Sequence, residues 1–151
     1  MNDVIPMLDS LPTALKWDEK LALLTVGLLD LPQHEVPLAH RFEEGQYIRE
    51  ITCPAGAIII GRTHIHGHLC ELLEGEVIHV MENERVHRHA PFSIHTTPGY
   101  QMVVFTVTPI KARTVHPNPT GSRDIETLEN SIFEPAEKVT ALGESIRKRL
   151  T

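Results

Sequence analysis

Apolar positions between residues 13 and 29 recur at spacings of three and four: Ala14, Trp17, Leu21, Leu24 and Leu28. That rhythm sets them on one stripe of a helix running from about Thr13 to Leu29. Leu15, Ala22, Leu23, Val26 and Leu29 widen the stripe, so little of this helix is left to face water. Its apolar face is expected to pack on the protein's own sheet or against a second subunit. Residues 1–12, interrupted by Pro6 and Pro12, read as an irregular arm, and Pro32 and Pro37 end the helix and open a connector.

From Glu44 the period shortens toward two. Strands are predicted over Tyr47–Cys53 and Ala57–Gly61, separated by a turn at Pro54-Ala55-Gly56. A histidine-bearing strand follows. Glu74-Gly75-Glu76 turns the chain into Val77–Met81, Glu82-Asn83-Glu84 turns it again, and Arg85–His89 returns. After residues 90–94 and a turn at Thr97-Pro98-Gly99, Gln101–Thr108 and Ala112–His116 read as a hairpin around Pro109-Ile110-Lys111. Short strands at this spacing point to a β-sandwich or barrel. Ser122 is a candidate N-cap for a helix reaching about Phe133, Pro135 breaks it, and Ala136–Leu150 is again helical in pattern. The expected division is an arm and apolar helix over 1–43, a β-barrel over 44–121 and a helical segment over 122–151.

A chain of 151 residues with 41% hydrophobic content can bury one sizeable core. The formal charge of -6 argues against nucleic acid as a partner, and Arg147-Lys148-Arg149 fits the cationic end of a helix. Cys53 and Cys70 form no CxxC pair and read as reduced core cysteines. Neither a signal peptide nor an apolar run long enough for a membrane helix is evident, so a soluble protein made in the cytoplasm is expected.

The candidate chemistry lies in Thr63-His64-Ile65-His66-Gly67-His68. On a strand, alternate side chains share a face, and neutral imidazole is a common metal ligand. At about 3.3 Å per residue, His64 and His68 start roughly 13 Å apart, so a regular strand lets only neighbours converge on one ion. Gly67 is where a bulge would re-aim a side chain. The site is then two histidines plus a distant ligand, or three with a bulge. Without an ion, the same imidazoles make a polar barrel interior bonded to one another, to water or to backbone.

Gly61, the spaced histidines and Leu72-Leu73-Glu74-Gly75-Glu76 resemble the first motif of the cupin superfamily, and Pro98-Gly99 resembles the start of the second. More narrowly, residues 42–133 resemble small cupin-fold proteins of bacteriophages and prophages. Tyr47-Ile48-Arg49, Pro54-Ala55-Gly56, Ala90-Pro91-Phe92, Thr97-Pro98-Gly99, Val115-His116-Pro117 and Asp124–Glu129 fall in the same order. The resemblance implies an all-β, cupin-type jelly roll (double-stranded β-helix) with an N-terminal helix and one or two C-terminal helices. It also implies a divalent transition metal (Zn, Fe, Mn or Ni) held by residues among His64, His66, His68 and His116. Two departures stand out. His68 occupies the position of the usual glutamate ligand, and Met102 that of the second-motif histidine; a thioether is a poor ligand for hard metals.

Glu71 and Tyr100 are the weaker catalytic candidates, as a carboxylate for proton transfer and a phenol at a barrel mouth. A solvated strand end and rim packing are their ordinary alternatives. His79, His87, His89 and His95 read as solvated or cross-strand residues on hairpins. Two functions follow. One is a non-catalytic phage accessory or virion-associated module, homo-oligomeric and in contact with other phage structural proteins, in the host cytoplasm or the virion. The other is a metal-dependent cupin enzyme (dioxygenase, isomerase or lyase) acting on a small polar substrate.

Overall fold

Eight of the nine strands of the β region pair by a nested rule. The computed structural model describes residues 4–151, so the first three residues of the expected arm lie outside the described residues. The strands are β1 (Leu38–Glu43), β2 (Gln46–Cys53), β3 (Ile58–Ile60), β4 (Leu69–Glu74), β5 (Glu76–Val80), β6 (Arg85–His89), β7 (Phe92–His95), β8 (Val103–Thr106) and β9 (Ile110–Pro117). They form a five-stranded sheet in the order β1-β2-β9-β4-β7 and a four-stranded sheet in the order β3-β8-β5-β6. All pairs are antiparallel: β5 with β6, β4 with β7, β3 with β8 and β2 with β9, each enclosing the one before. This nesting across two sheets is the topology of a cupin-type jelly roll, as expected.

The turns explain why the chain changes sheets where it does. Gly75, with φ +91°, links β4 in one sheet to β5 in the other, and a Cβ there would collide with the Pro109 carbonyl oxygen. The positive φ and the close approach both require glycine. The expected hairpin of residues 101–116 does not form. β8 pairs with β3 and β5, whereas β9 pairs with β2 and β4, because the turn at Pro109 carries the chain between sheets. The predicted histidine strand is also absent: residues 61–68 are irregular apart from one isolated bridge between His64 and Phe133. β1 lies where only a connector was expected. It is an edge strand whose burial alternates weakly, so its pattern carries little apolar signal.

The chain divides into two compact units, one of His34–Glu134 and one of the residues up to Gln33 with Pro135–Thr151. In the first, Cys53, Ala57, Leu72, Val77 and Ile110 form a buried apolar cluster. A second cluster joins Tyr47 of β2 to Leu128 and Ile132 of α3 (Ile125–Ile132) and to Phe133. In the helical unit, α1 (Val4–Asp9) occupies part of the predicted irregular arm; Pro6 is tolerated because it falls in the first turn, where no N–H is needed. α2 (Trp17–Leu29) starts four residues later than the stripe suggests, since the Lys16 N–H donates to the Glu19 carboxylate and sets the cap there. Leu21, Ala22, Leu24 and Val26 of α2 are buried, and Gly143 of α4 (Ala136–Leu150) lets that helix approach the Ala22 carbonyl. No described helix is long and apolar enough to cross a membrane.

Two glycines with positive φ separate backbone strain from collision. Gly45 (φ +74°) has open space around it, whereas Gly75 does not. Gly45→Ala is expected to cost about 1 kcal/mol and Gly75→Ala at least about 3 kcal/mol, because only the second adds a clash with backbone. Urea unfolding of both variants measures the difference, and equal costs would contradict it.

Candidate metal centre

The segment 61–68 spends its backbone hydrogen bonds on loops rather than on a sheet. Gly61 N–H donates to Met102 O (2.8 Å), His64 N–H to Tyr100 O (3.1 Å), and Gly99 N–H to His64 O (2.9 Å). On the other side, Ile65 N–H donates to Ile132 O (2.8 Å) and Glu134 N–H to Thr63 O (2.9 Å). The loop is thus held between the Pro98-Gly99 turn and the end of α3, and it bends at Ile65-His66. That bend brings together what an extended strand would hold apart: the His64 and His68 rings stack with centroids 3.8 Å apart.

His68 is fixed by Thr96, just past β7. Thr96 N–H donates to His68 O (2.8 Å), and His68 N–H donates to Thr96 Oγ1 (3.1 Å). The same hydroxyl lies 2.9 Å from His68 Nδ1. With Nδ1–H donated to the hydroxyl, the Nε2 lone pair of His68 is left for a ligand. A Cβ on Gly67 would sit 2.5 Å from the Thr96 carbonyl oxygen, so glycine is required there for close approach. His116 comes from the distant strand β9, in register with the fully buried Tyr47 of β2. Its Nε2 is 2.8 Å from Thr114 Oγ1, which leaves Nδ1 as the free ring nitrogen.

The third ring closes the group. His116 lies 5.6 Å from His64 and 5.0 Å from His68 between centroids, and one ligand atom from each of the three falls within 4.8 Å of the others. His64 Nε2 is buried with no hydrogen-bond partner among the described residues. Burial pushes His64 down to about 4, helped by the neighbouring His68, and pushes His116 down to about 3, helped by His68 and His64. His68 is lowered as well, mainly by burial, with the His66 carbonyl opposing. All three are therefore neutral at pH 7, the form that binds metal. An orphaned lone pair beside two more neutral imidazoles fits a borderline transition metal, with Zn, Fe and Ni suited better than Mn by an all-nitrogen set.

Of the four predicted ligands, His64, His68 and His116 converge, while His66 is exposed outside the group because the loop bends beside it. Glu71 is not a member; it faces Arg113 directly across β4 and β9 and pairs with it at 2.9 Å. Arg49 lies close enough to lower His64 and His116, and is itself matched by Glu129 at 2.7 Å and the Tyr47 hydroxyl at 3.0 Å.

His64 and His68 form part of the wall of a cavity of about 400 Å³ inside the jelly roll. Tyr100 lines it too, with its hydroxyl 2.8 Å from His79 Nε2. His79 is 2% exposed, not solvated as its hairpin position suggests; it shares the inward face of β5 with Val77, and that parity was the legible signal. Met102 lies 3.9 Å from Cys70, whose thiol burial pushes up to about 11, so that it stays protonated at neutral pH. A second grouping joins the half-buried Glu76 of β5 to the exposed His87 and His89 of β6.

No protein-family model matches the chain, and no curated protein matches it. Solved structures similar to it include a double-stranded β-helix protein from Klebsiella pneumoniae, 15% identical over 61% of this chain and 85% of that one, with a TM-score of 0.49. An RmlC-like cupin family protein from Methanocaldococcus jannaschii is 13% identical over 58% and 85%, with a TM-score of 0.47. An acetylacetone dioxygenase from Acinetobacter johnsonii is 14% identical over 60% and 68%, also at 0.47.

Burial of the triad also sets a pH dependence. The unfolded chain protonates its histidines near pH 6.5, whereas folded His64 and His116 wait until about 4 and about 3. Between these values the unfolded state holds more protons, so stability rises with pH and levels off above about 6.5. The urea midpoint of metal-free protein is expected to fall steadily from pH 7 to 5, and to fall less in His116→Asn. A flat profile in the wild type would refute this.

Proposed function

We propose that the protein is a metal-dependent cupin-fold protein that holds a divalent transition metal on His64, His68 and His116 and acts on a small molecule in the adjoining cavity. The observation that carries this is the buried His64 Nε2, without a hydrogen-bond partner among the described residues, on a ring grouped with two more neutral imidazoles. A polar atom left unpaired in the interior costs about 1–3 kcal/mol, and coordination would remove that cost. Three nitrogen ligands leave coordination positions for water or substrate. The metal, when bound, supplies Lewis acidity or redox capacity for dioxygenase, isomerase or lyase chemistry. The chain's own part is to keep the imidazoles neutral, to orient His68 through Thr96 and His116 through Thr114, and to exclude bulk water. The His79–Tyr100 pair offers a proton carrier at the cavity wall, and Glu71, tied to Arg113, holds that wall in place.

A second reading draws on the helical unit, where Leu29, Leu31 and Leu150 are 60%, 52% and 49% exposed. These side chains suit contact with another copy or with phage structural proteins, in a non-catalytic accessory or virion-associated scaffold. That reading expects metal-free protein and a dimer or larger assembly by light scattering.

Metal analysis of protein purified without a histidine tag separates the two. Near-stoichiometric Zn, Fe or Ni is expected, lost in His64→Ala and in His116→Ala but kept in His66→Ala, whose ring is outside the group. Gly67→Ala, which displaces His68 from Thr96, is expected to weaken metal binding by about tenfold or more, as orienting contacts around ligands do. Metal retained in His64→Ala, or lost equally in His66→Ala, would sink the assignment.

A further inference from the structure

The cavity wall carries an arginine that has no carboxylate partner among the described residues. On β6, His87 and His89 point outward and are exposed, so alternation turns Arg88 inward. Arg88 lines the cavity, its guanidinium lies over the Phe92 ring at 4.4 Å, and its Nε is buried with no hydrogen-bond partner among the described residues. Of the other arginines on the wall, Arg49 pairs with Glu129 and Arg113 with Glu71, and Arg62 donates to the Glu134 carbonyl. Arg88 is half-buried and pairs with no carboxylate among the described residues, and an arginine fork fits a planar carboxylate bidentately. Nearby stands the His79–Tyr100 pair, on which the Arg88 charge acts directly. The rest of the wall is largely aliphatic, including Ile59, Leu72, Ile94, Val104 and Ile110.

We infer that the cavity receives a small organic acid, its carboxylate seated on Arg88 beside the Tyr100 hydroxyl and its apolar body lying toward His64 and His68. This names the substrate class of the metal-centre reading and rests on it for any chemistry; the binding step needs no metal. Arg88 then neutralises the head group, the aliphatic wall takes the chain, and the acid's reactive carbons lie beside the triad.

Calorimetric titration of metal-loaded and of chelator-treated wild type with hexanoate and with hexanamide tests this, since the two probes differ chiefly in charge. Hexanoate is expected to bind in both preparations and hexanamide at least about tenfold more weakly. Arg88→Gln is expected to lose hexanoate by at least about tenfold, and Tyr100→Phe to weaken it less. Arg88→Met is expected to raise the urea midpoint while abolishing hexanoate binding, which separates a ligand-binding arginine from one that holds the fold. Equal binding of the two probes, unchanged hexanoate binding in Arg88→Gln, or displacement of hexanoate by an equal concentration of inorganic phosphate would overturn the proposal. Hexanoate binding in protein that never takes up metal leaves this inference standing and removes the metal reading. Metal binding without hexanoate binding does the reverse.

Discussion

The contact between His68 and Thr96 is the constraint on which the site depends. One threonine ties His68 through both its backbone groups and lies beside its ring Nδ1, and it does so across a gap that admits only a glycine at position 67. Without that anchor the irregular loop 61–68 would lose its tie at the β4 end and keep only its bonds to Met102, to the Pro98-Gly99 turn and to the end of α3. With it, His68 becomes an extension of β4, and the loop behind it must fold back far enough to lay His64 on top. Two local requirements, a hydroxyl at 96 and no side chain at 67, thereby fix the His68 side of the ring-to-ring stack.

Much of the fold was legible because it is written in period and punctuation. Arg85–His89 was set by the turn at Glu82-Asn83-Glu84, the strand ending at Cys53 by period and the turn at Pro54-Ala55-Gly56, and Pro135 marked the break between the last two helices. What escaped was long-range. Alternation says which face a residue occupies but not which sheet receives its strand, so β8 and β9 looked like a hairpin although they belong to opposite sheets. Partnership decided the site as well. His64, His66 and His68 share a parity, and only loop hydrogen bonds to Tyr100 and Ile132, invisible in a one-dimensional pattern, turn one of them away. His79 was readable by parity from its neighbour Val77, but a hairpin reading left it as a solvated or cross-strand residue.

The interior also divides its electrostatic work. Histidines are kept uncharged by burial and by one another, while arginines bring fixed positive charge to the same walls. Most of that charge is cancelled by carboxylates supplied from β4 and α3. The arrangement leaves neutral lone pairs at one place in the hollow and positive charge at another, a polarity suited to a guest with an anionic end and an uncharged one.

The nested strand pairing has a consequence for how the protein comes to exist. β5 and β6 are joined by a short turn and can meet early, whereas β2 and β9 meet only after everything between them has been gathered in. His64 and His68 belong to the inner layers of that nest, and His116 to its outermost closing strand. For the ion proposed above, full coordination would therefore be a late event in folding: during synthesis it would meet at most two of its ligands, with His116 supplied only when the last strand docks.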